Sequence, residues 1–252
     1  MPSNDELTGW LEGMNSPDPG MRIRHAGKWI NWQALPKAAI PVLTRALTDE
    51  NYTVRSEAAG TLCVHEKCED LAWDAFRSVL RSEDTSAIVE ALSILSDFIS
   101  PIPVLAEVLA LLRHADPEVR QFAISSLRMG IQEPPTSQRD LGTHSKKELE
   151  QRFPGIMKAL VPIQRLLADP EMKVRREAAD ALFCFGPLAE TSLPVFLKWA
   201  KSSDDEIREL GVKGLYYIGR NSKKAMSELK AILQNPDDPW HESVCFWLEE
   251  RS

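Results

Sequence analysis

The sequence predicts an all-α fold in which about seven helical hairpins repeat along the whole chain of 252 residues. Three observations carry this. One phrase of residues returns at near-constant spacing, the apolar positions inside each copy follow a helical period, and no period-2 strand pattern persists anywhere. The 43% hydrophobic and 27% charged residues are those of a chain able to bury a core.

The phrase is clearest as DPEVRQFAISSLRMG, with Val119, Arg120, Ala123 and Leu127. It recurs as NYTVRSEAAGTLC (Val54, Arg55, Ala58, Leu62), EMKVRREAADALF (Val174, Arg175, Ala178, Leu182) and DDEIRELGVKGLYYIG (Ile207, Arg208, Gly211, Leu215). A weaker copy, DPGMRIRHAGKWI, is read with Ile23, Arg24, Gly27 and Ile30, and two degenerate copies begin at Ala87 and Trp240. First residues at 23, 54, 87, 119, 174, 207 and 240 are separated by 31, 33, 32, 55, 33 and 33. The long interval is one period plus about 22 residues, an insertion over residues 131–153.

Within each copy, apolar residues at offsets 0, 4 and 8 form one stripe of a helix. An aspartate stands three or five residues earlier (Asp18, Asp49, Asp84, Asp116, Asp169, Asp204, Asp237), where a side-chain oxygen can cap the first turn. Pro19, Pro117 and Pro170 follow three of these, at a position where the missing N–H costs nothing. The small residue at offset 4 lets a neighbouring helix come close. Upstream segments with helical character, at 39–47, 101–112, 155–168, 192–200 and 223–233, supply the outer helix of each hairpin. Inside the insertion, Pro134 and Pro135 mark a loop, and Ser145 with Glu148 forms a capping box opening a short helix.

Charge and composition narrow the function classes. The net charge is −7 (30 Lys+Arg against 37 Asp+Glu), which disfavours nucleic acid as a partner because phosphate binding rests on a basic excess. Four cysteines are too few for a disulfide scaffold and fit a reducing, cytoplasmic setting. No membrane span or secretory leader is expected from the apolar runs or from the opening MPSNDELTGWLEG.

The phrase D-x-x-V-R-x-x-A-x-x-A-L-x-x-G resembles the second helix of HEAT repeats, in particular the short HEAT-like units of phycobilisome lyases, most closely at residues 116–130, 169–186 and 204–219. The resemblance implies one repeat domain over residues 1–252, a right-handed α-solenoid whose phrase helices line a concave surface. It also implies a ladder between the motif aspartates and Arg24, Arg55, Arg120, Arg175 and Arg208, interrupted where Ile88 and His241 replace arginine.

Iron enzymes similar to deoxyhypusine hydroxylase carry His-Glu pairs after the motif arginine. Here His25 is followed by Ala26, and the pairs His65-Glu66 and His241-Glu242 stand in other registers, so converging metal ligands are not expected. Cys63-x-His65-x-x-Cys68 lacks the second ligand pair of a structural zinc site. No nucleophile elbow, P-loop or dinucleotide fingerprint occurs, and no cofactor is expected.

Offsets 2, 6 and 9 point away from the core stripe, toward the expected concave face. They place Trp29, Trp32, Arg128, Arg176, Phe183, Tyr216 and Phe246 there, and aromatic and arginine side chains anchor interfaces. The expected function is a non-catalytic scaffold that binds another protein through this face, helped by residues 131–153. The alternatives are a lyase or lyase-accessory subunit resembling bilin lyases and a DNA-binding HEAT-like protein.

Overall fold

The structure is a computed structural model that describes residues 2–30, 35–63, 65, 69–97, 101–131 and 145–249. Among them there is no strand. Two compact units are formed by Met1–Val108 and Leu109–Ser252. The first holds α1 (Asn4–Met14), α2 (Pro19–Ala26), α3 (Ala39–Ala46), α4 (Tyr52–Cys63), α5 (Glu69–Leu80) and α6 (Thr85–Asp97). A 3-10 turn (Ile102–Val104) leads into α7 (Leu105–Leu111), within which the division falls. The second holds α8 (Pro117–Ile131), α9 (Lys146–Arg152), α10 (Leu160–Arg165), α11 (Met172–Phe185), α12 (Leu193–Trp199), α13 (Asp205–Tyr217), α14 (Lys223–Leu233) and α15 (His241–Glu249).

Each phrase falls on a helix, and outer helices pack against them as the hairpin reading requires: α1 on α2, α3 on α4 and α5 on α6 in the first unit, α10 on α11, α12 on α13 and α14 on α15 in the second. The predicted capping box opens α9, where Ser145 Oγ accepts from the Glu148 N–H at 3.2 Å and Glu148 Oε2 accepts from the Ser145 N–H at 2.6 Å. Ile131 is buried at the end of α8, and residues 132–144 of the insertion lie outside the described residues. The long apolar run Met172–Trp199 turns at Gly186 (φ 54°), which ends α11 and begins a 3-10 segment leading to α12. Positive φ costs glycine nothing.

The small offset-4 residues do what their size allows. Ala58, Ala123 and Ala178 are fully buried, and at Gly211 the backbone of α12 comes so near that a methyl group would lie 2.1 Å from the Ala200 nitrogen.

The first phrase requires a correction of register. The arginine that reaches the next hairpin is Arg22, whose Nε and Nη2 donate to Asp49 at 2.8 and 2.9 Å. Arg24 is exposed, with Nη2 against Met21 Sδ. The phrase therefore begins at Met21, and its distance to Val54 is 33 residues, like the other intervals. Trp29 moves from offset 6 to offset 8, into the core stripe. It is fully buried, its ring centroid 5.9 Å from that of Trp10, whose Nε1 donates to the His25 carbonyl at 2.6 Å.

The ladder itself is real but selective. Arg120 donates to both Asp169 oxygens at 2.8 Å, and Arg208 Nη2 meets Asp238, not Asp237, at 2.5 Å. Arg55 instead pairs with Glu90, and Arg175 Nη1 donates to the carbonyls of Asp169 and Pro170 within its own turn. In four hairpins the outcome follows the length of the turn, and in the last Asp238 both caps the Trp240 N–H and receives Arg208. Asp84 and Asp204 stand three residues before their phrases, and each spends an oxygen capping its own helix (Ala87 N–H at 3.1 Å, Ile207 N–H at 3.0 Å). Asp49 and Asp169 stand five residues before, outside the helix. In the second hairpin Asn51 Oδ1 takes over the cap, accepting from Thr53 and Val54. Their carboxylates are then free to receive the preceding arginine.

Candidate functional site

In the second unit, α8 packs on α11 and α11 on α13, so the phrase helices present one row of side chains per offset. A phrase helix is covered by its outer helix on the core side and flanked by adjacent phrase helices, which leaves only a narrow strip open.

That strip is charged. Arg128 Nε donates to Glu177 Oε1 at 2.9 Å with both side chains mostly buried. Arg176 Nη2 donates to Glu206 Oε1 at 2.6 Å, and this pair is the more exposed, at 37% and 47%. Lys213 Nζ donates to Glu209 Oε1 at 2.6 Å. Between these lies Asp180, half-buried, one helical turn from Glu177. Burial and the adjacent Glu177 push its carboxyl above the ordinary carboxylate range, against the pull of Arg128, Lys213 and Arg176. Burial also pushes the Cys184 thiol up to about 12, so it stays protonated and poorly nucleophilic near neutral pH.

The raised Asp180 carboxyl has a measurable consequence. An acid whose folded-state pKa lies above its unfolded value favours the fold when protonated, and that stabilisation is lost as pH rises through the folded value. Asp180→Asn is therefore expected to raise Tm at pH 7 by about 2–4 °C, the shift that about 1 kcal/mol gives a chain of this size. The gain should disappear in melts recorded at acid pH, where the native carboxyl is already protonated.

The aromatic residues expected on a groove wall are placed otherwise. Phe183 and Tyr216 are buried, 5% and 7% exposed. Their rings join a column running from α11 through α13 to α15: Phe183 stacks on Tyr217 at 5.4 Å, Tyr217 meets Tyr216 at 4.9 Å, and Tyr216 meets Trp247 at 5.1 Å. Offset 9 thus faces the next phrase helix more than solvent. Trp29 is core, as described above, and Trp32 lies outside the described residues. Phe246, at offset 6 of α15, is 54% exposed, and Arg176 is half-exposed. Of the residues expected on this face, Phe246 is exposed, Arg176 is half-exposed and paired with Glu206, and Arg128 is mostly buried against Glu177. The offset rule also turned Asp180, Glu209 and Lys213 toward this face, but it missed Glu177 and Glu206, the acids that Arg128 and Arg176 meet.

Elsewhere, His65 Nε2 lies 3.1 Å from the Trp29 carbonyl and ties α4 to the first hairpin, while Cys68 lies outside the described residues. Among the described residues no group of three or more His, Cys, Asp or Glu converges as metal ligands would.

This fold is similar to several solved structures. An X-ray structure of the Escherichia coli protein YibA superposes with a TM-score of 0.52 at 16% identity, covering 93% of this chain and 77% of that one. A designed armadillo repeat protein in complex with the peptide (KR)4 gives 0.51 at 17% identity, covering 88% and 99%. An engineered protein gives 0.50 at 20% identity, covering 90% and 98%. At such identities the likeness shows the fold, a helical repeat array of the solenoid class. No protein-family model matches the chain, and no curated protein does.

Proposed function

We propose that this chain is a non-catalytic scaffold of HEAT-type repeats that binds another protein through the strip formed by α8, α11, α13 and α15. The observation that carries this reading is Phe246, a large apolar side chain 54% exposed beside a charged strip, the pairing of anchor and polar surround that protein interfaces use. Rows of one side chain per repeat suit an extended polypeptide better than a small substrate, since contact grows with the number of repeats. The peptide complex of the designed armadillo protein lends support by analogy of fold. A cytoplasmic setting belongs to the same reading, as does a single repeat domain over residues 1–252 whose insertion at 131–153 assists binding.

Affinity capture with the full chain tests it. Phe246→Asp with Arg176→Glu is expected to reduce recovery of the specific partner by about tenfold or more, the effect of losing a central anchor. Val161→Asp, at an exposed position on α10, should leave recovery unchanged. Equal recovery by the Phe246/Arg176 variant and the unmodified chain would remove the strip from consideration.

A further inference from the structure

The first unit contains a cleft of about 950 Å³ at the seam between the α3–α4 and α5–α6 hairpins. It lies where the arginine ladder is diverted. Asp84, the acid that would receive Arg55, caps α6 through the Ala87 N–H, and Arg55 reaches Glu90 further along α6 instead. At the preceding seam Arg22 closes directly on Asp49. Here the clasp is displaced into α6, and both Arg55 and Glu90 line the cleft.

The cleft has a definite chemical character. Its floor is apolar, made by Phe76, Ala91 and Ile94, all at most 6% exposed, and half-buried Leu47, Val79 and Ala87 form its walls. Its volume is in the range of pockets that hold ligands. The lining acids are Asp49, Glu50, Asp84 and Glu90; Arg22 engages Asp49 and reaches Glu50 at 3.1 Å, while the Glu50 side chain stays 84% exposed. The lining bases are Arg55, buried against Glu90, and Arg45, engaged with Asn15 Oδ1 at 2.8 Å. Residues 51–100 carry four Lys+Arg against nine Asp+Glu, so the surrounding field is negative as well.

We propose that this cleft receives a short basic peptide segment with one or two bulky apolar residues, the apolar side chains on Phe76 and Ile94 and the flanking cations at Glu50 and Asp84. The apolar floor supplies affinity and the acidic rim selects the sign of the flanks. The site is separate from the strip in the second unit, and each can fail without the other.

Fluorescence anisotropy with the full chain and a labelled peptide KKLFKK tests the proposal. Saturable binding is expected with a Kd of about 100 µM, the weak affinity of a single small anchor. EELFEE and KKSSKK should not compete, the first failing on charge and the second on the missing anchor. Asp84→Asn with Glu50→Gln keeps the helix cap, because asparagine caps as well as aspartate, and should weaken binding about fivefold while flattening its salt dependence. Ala87→Phe should fill the cleft and abolish binding. Ser78→Trp, at an exposed lining position on α5, repeats the blockage should the first variant melt early by circular dichroism. No saturation up to about 1 mM peptide, the limit of useful affinity, would overturn the proposal. So would equal competition by EELFEE, or binding that survives a folded blocking variant.

Discussion

Asp169→Ala is expected to cost about 3–5 kcal/mol, the loss found when one partner of a buried ion pair is removed. Asp169 is 4% exposed at its side chain, Arg120 11%, and the two join through two hydrogen bonds of 2.8 Å in fork geometry. With the carboxylate gone, Arg120 keeps the His114 and Ala115 carbonyls at 2.8 Å but loses its bonded counter-charge, leaving only the more distant Glu171 and Asp116. Urea unfolding should show the loss as a lower midpoint at unchanged slope. Asp49→Ala in the first unit is expected to cost less, because Glu50 remains 3.1 Å from Arg22. Replacing the pair together, Arg120→Met with Asp169→Leu, should recover most of the stability, since burying two charges is itself costly.

The same pair sets an acid limit. Burial works to raise the Asp169 carboxyl, but the hydrogen bond and charge of Arg120 and the Glu171 N–H outweigh it and hold the carboxyl below its ordinary range. Asp49 behaves likewise beside Arg22 and Asn51. A lowered folded-state pKa stabilises the fold in full above the unfolded carboxylate value and loses that stabilisation as pH falls through the folded one. Midpoints measured from pH 5 downward should fall more steeply in the native chain than in Asp169→Asn.

Gly211→Ala is expected to destabilise by about 2–4 kcal/mol, although alanine in a helix ordinarily gains about 1 kcal/mol over glycine. The added methyl would lie 2.1 Å from the Ala200 nitrogen and 2.4 Å from the Trp199 carbonyl carbon, and backbone cannot rotate aside as a side chain does. α12 would have to back away from α13, unpacking Phe196, which is fully buried. Gly9→Ala on α1, where nothing lies within 4 Å, should show the ordinary gain, and thermal melts of the two variants should move in opposite directions.

The hairpin pattern was legible because a stacked repeat prints the same constraints every 32–33 residues: an apolar stripe, a small residue at offset 4 and an acid before the helix. The first register was not, for a local reason. Met21-Arg22-Ile23-Arg24 offers two apolar-Arg steps two residues apart, and only the position of Asp49 in space chooses between them. The aromatic groove failed because the offset rule gives each helix a single buried side. A phrase helix here has neighbours on its flanks too, so Phe183 and Tyr216 become packing between repeats. Phe246, at offset 6, is the exception and stays 54% exposed. The cleft had no signature at all in the sequence. It depends on Arg55 reaching Glu90, a choice made by three-dimensional reach.

The two aspartate positions bear on how such an array tolerates recombination. A hairpin whose acid caps its own helix from three residues ahead of the phrase, as at Asp84 and Asp204, looks after itself and neglects its predecessor, while one with the two-residue extension, as at Asp49 and Asp169, does the reverse. Transplanting a hairpin cut at the start of its helix would therefore graft it without its connector, and the junction would default to whatever turn the recipient supplies. Cassettes cut ahead of the aspartate carry the instruction with them, and adding two residues before Ser86 would offer Asp84 to Arg55 and draw that seam shut.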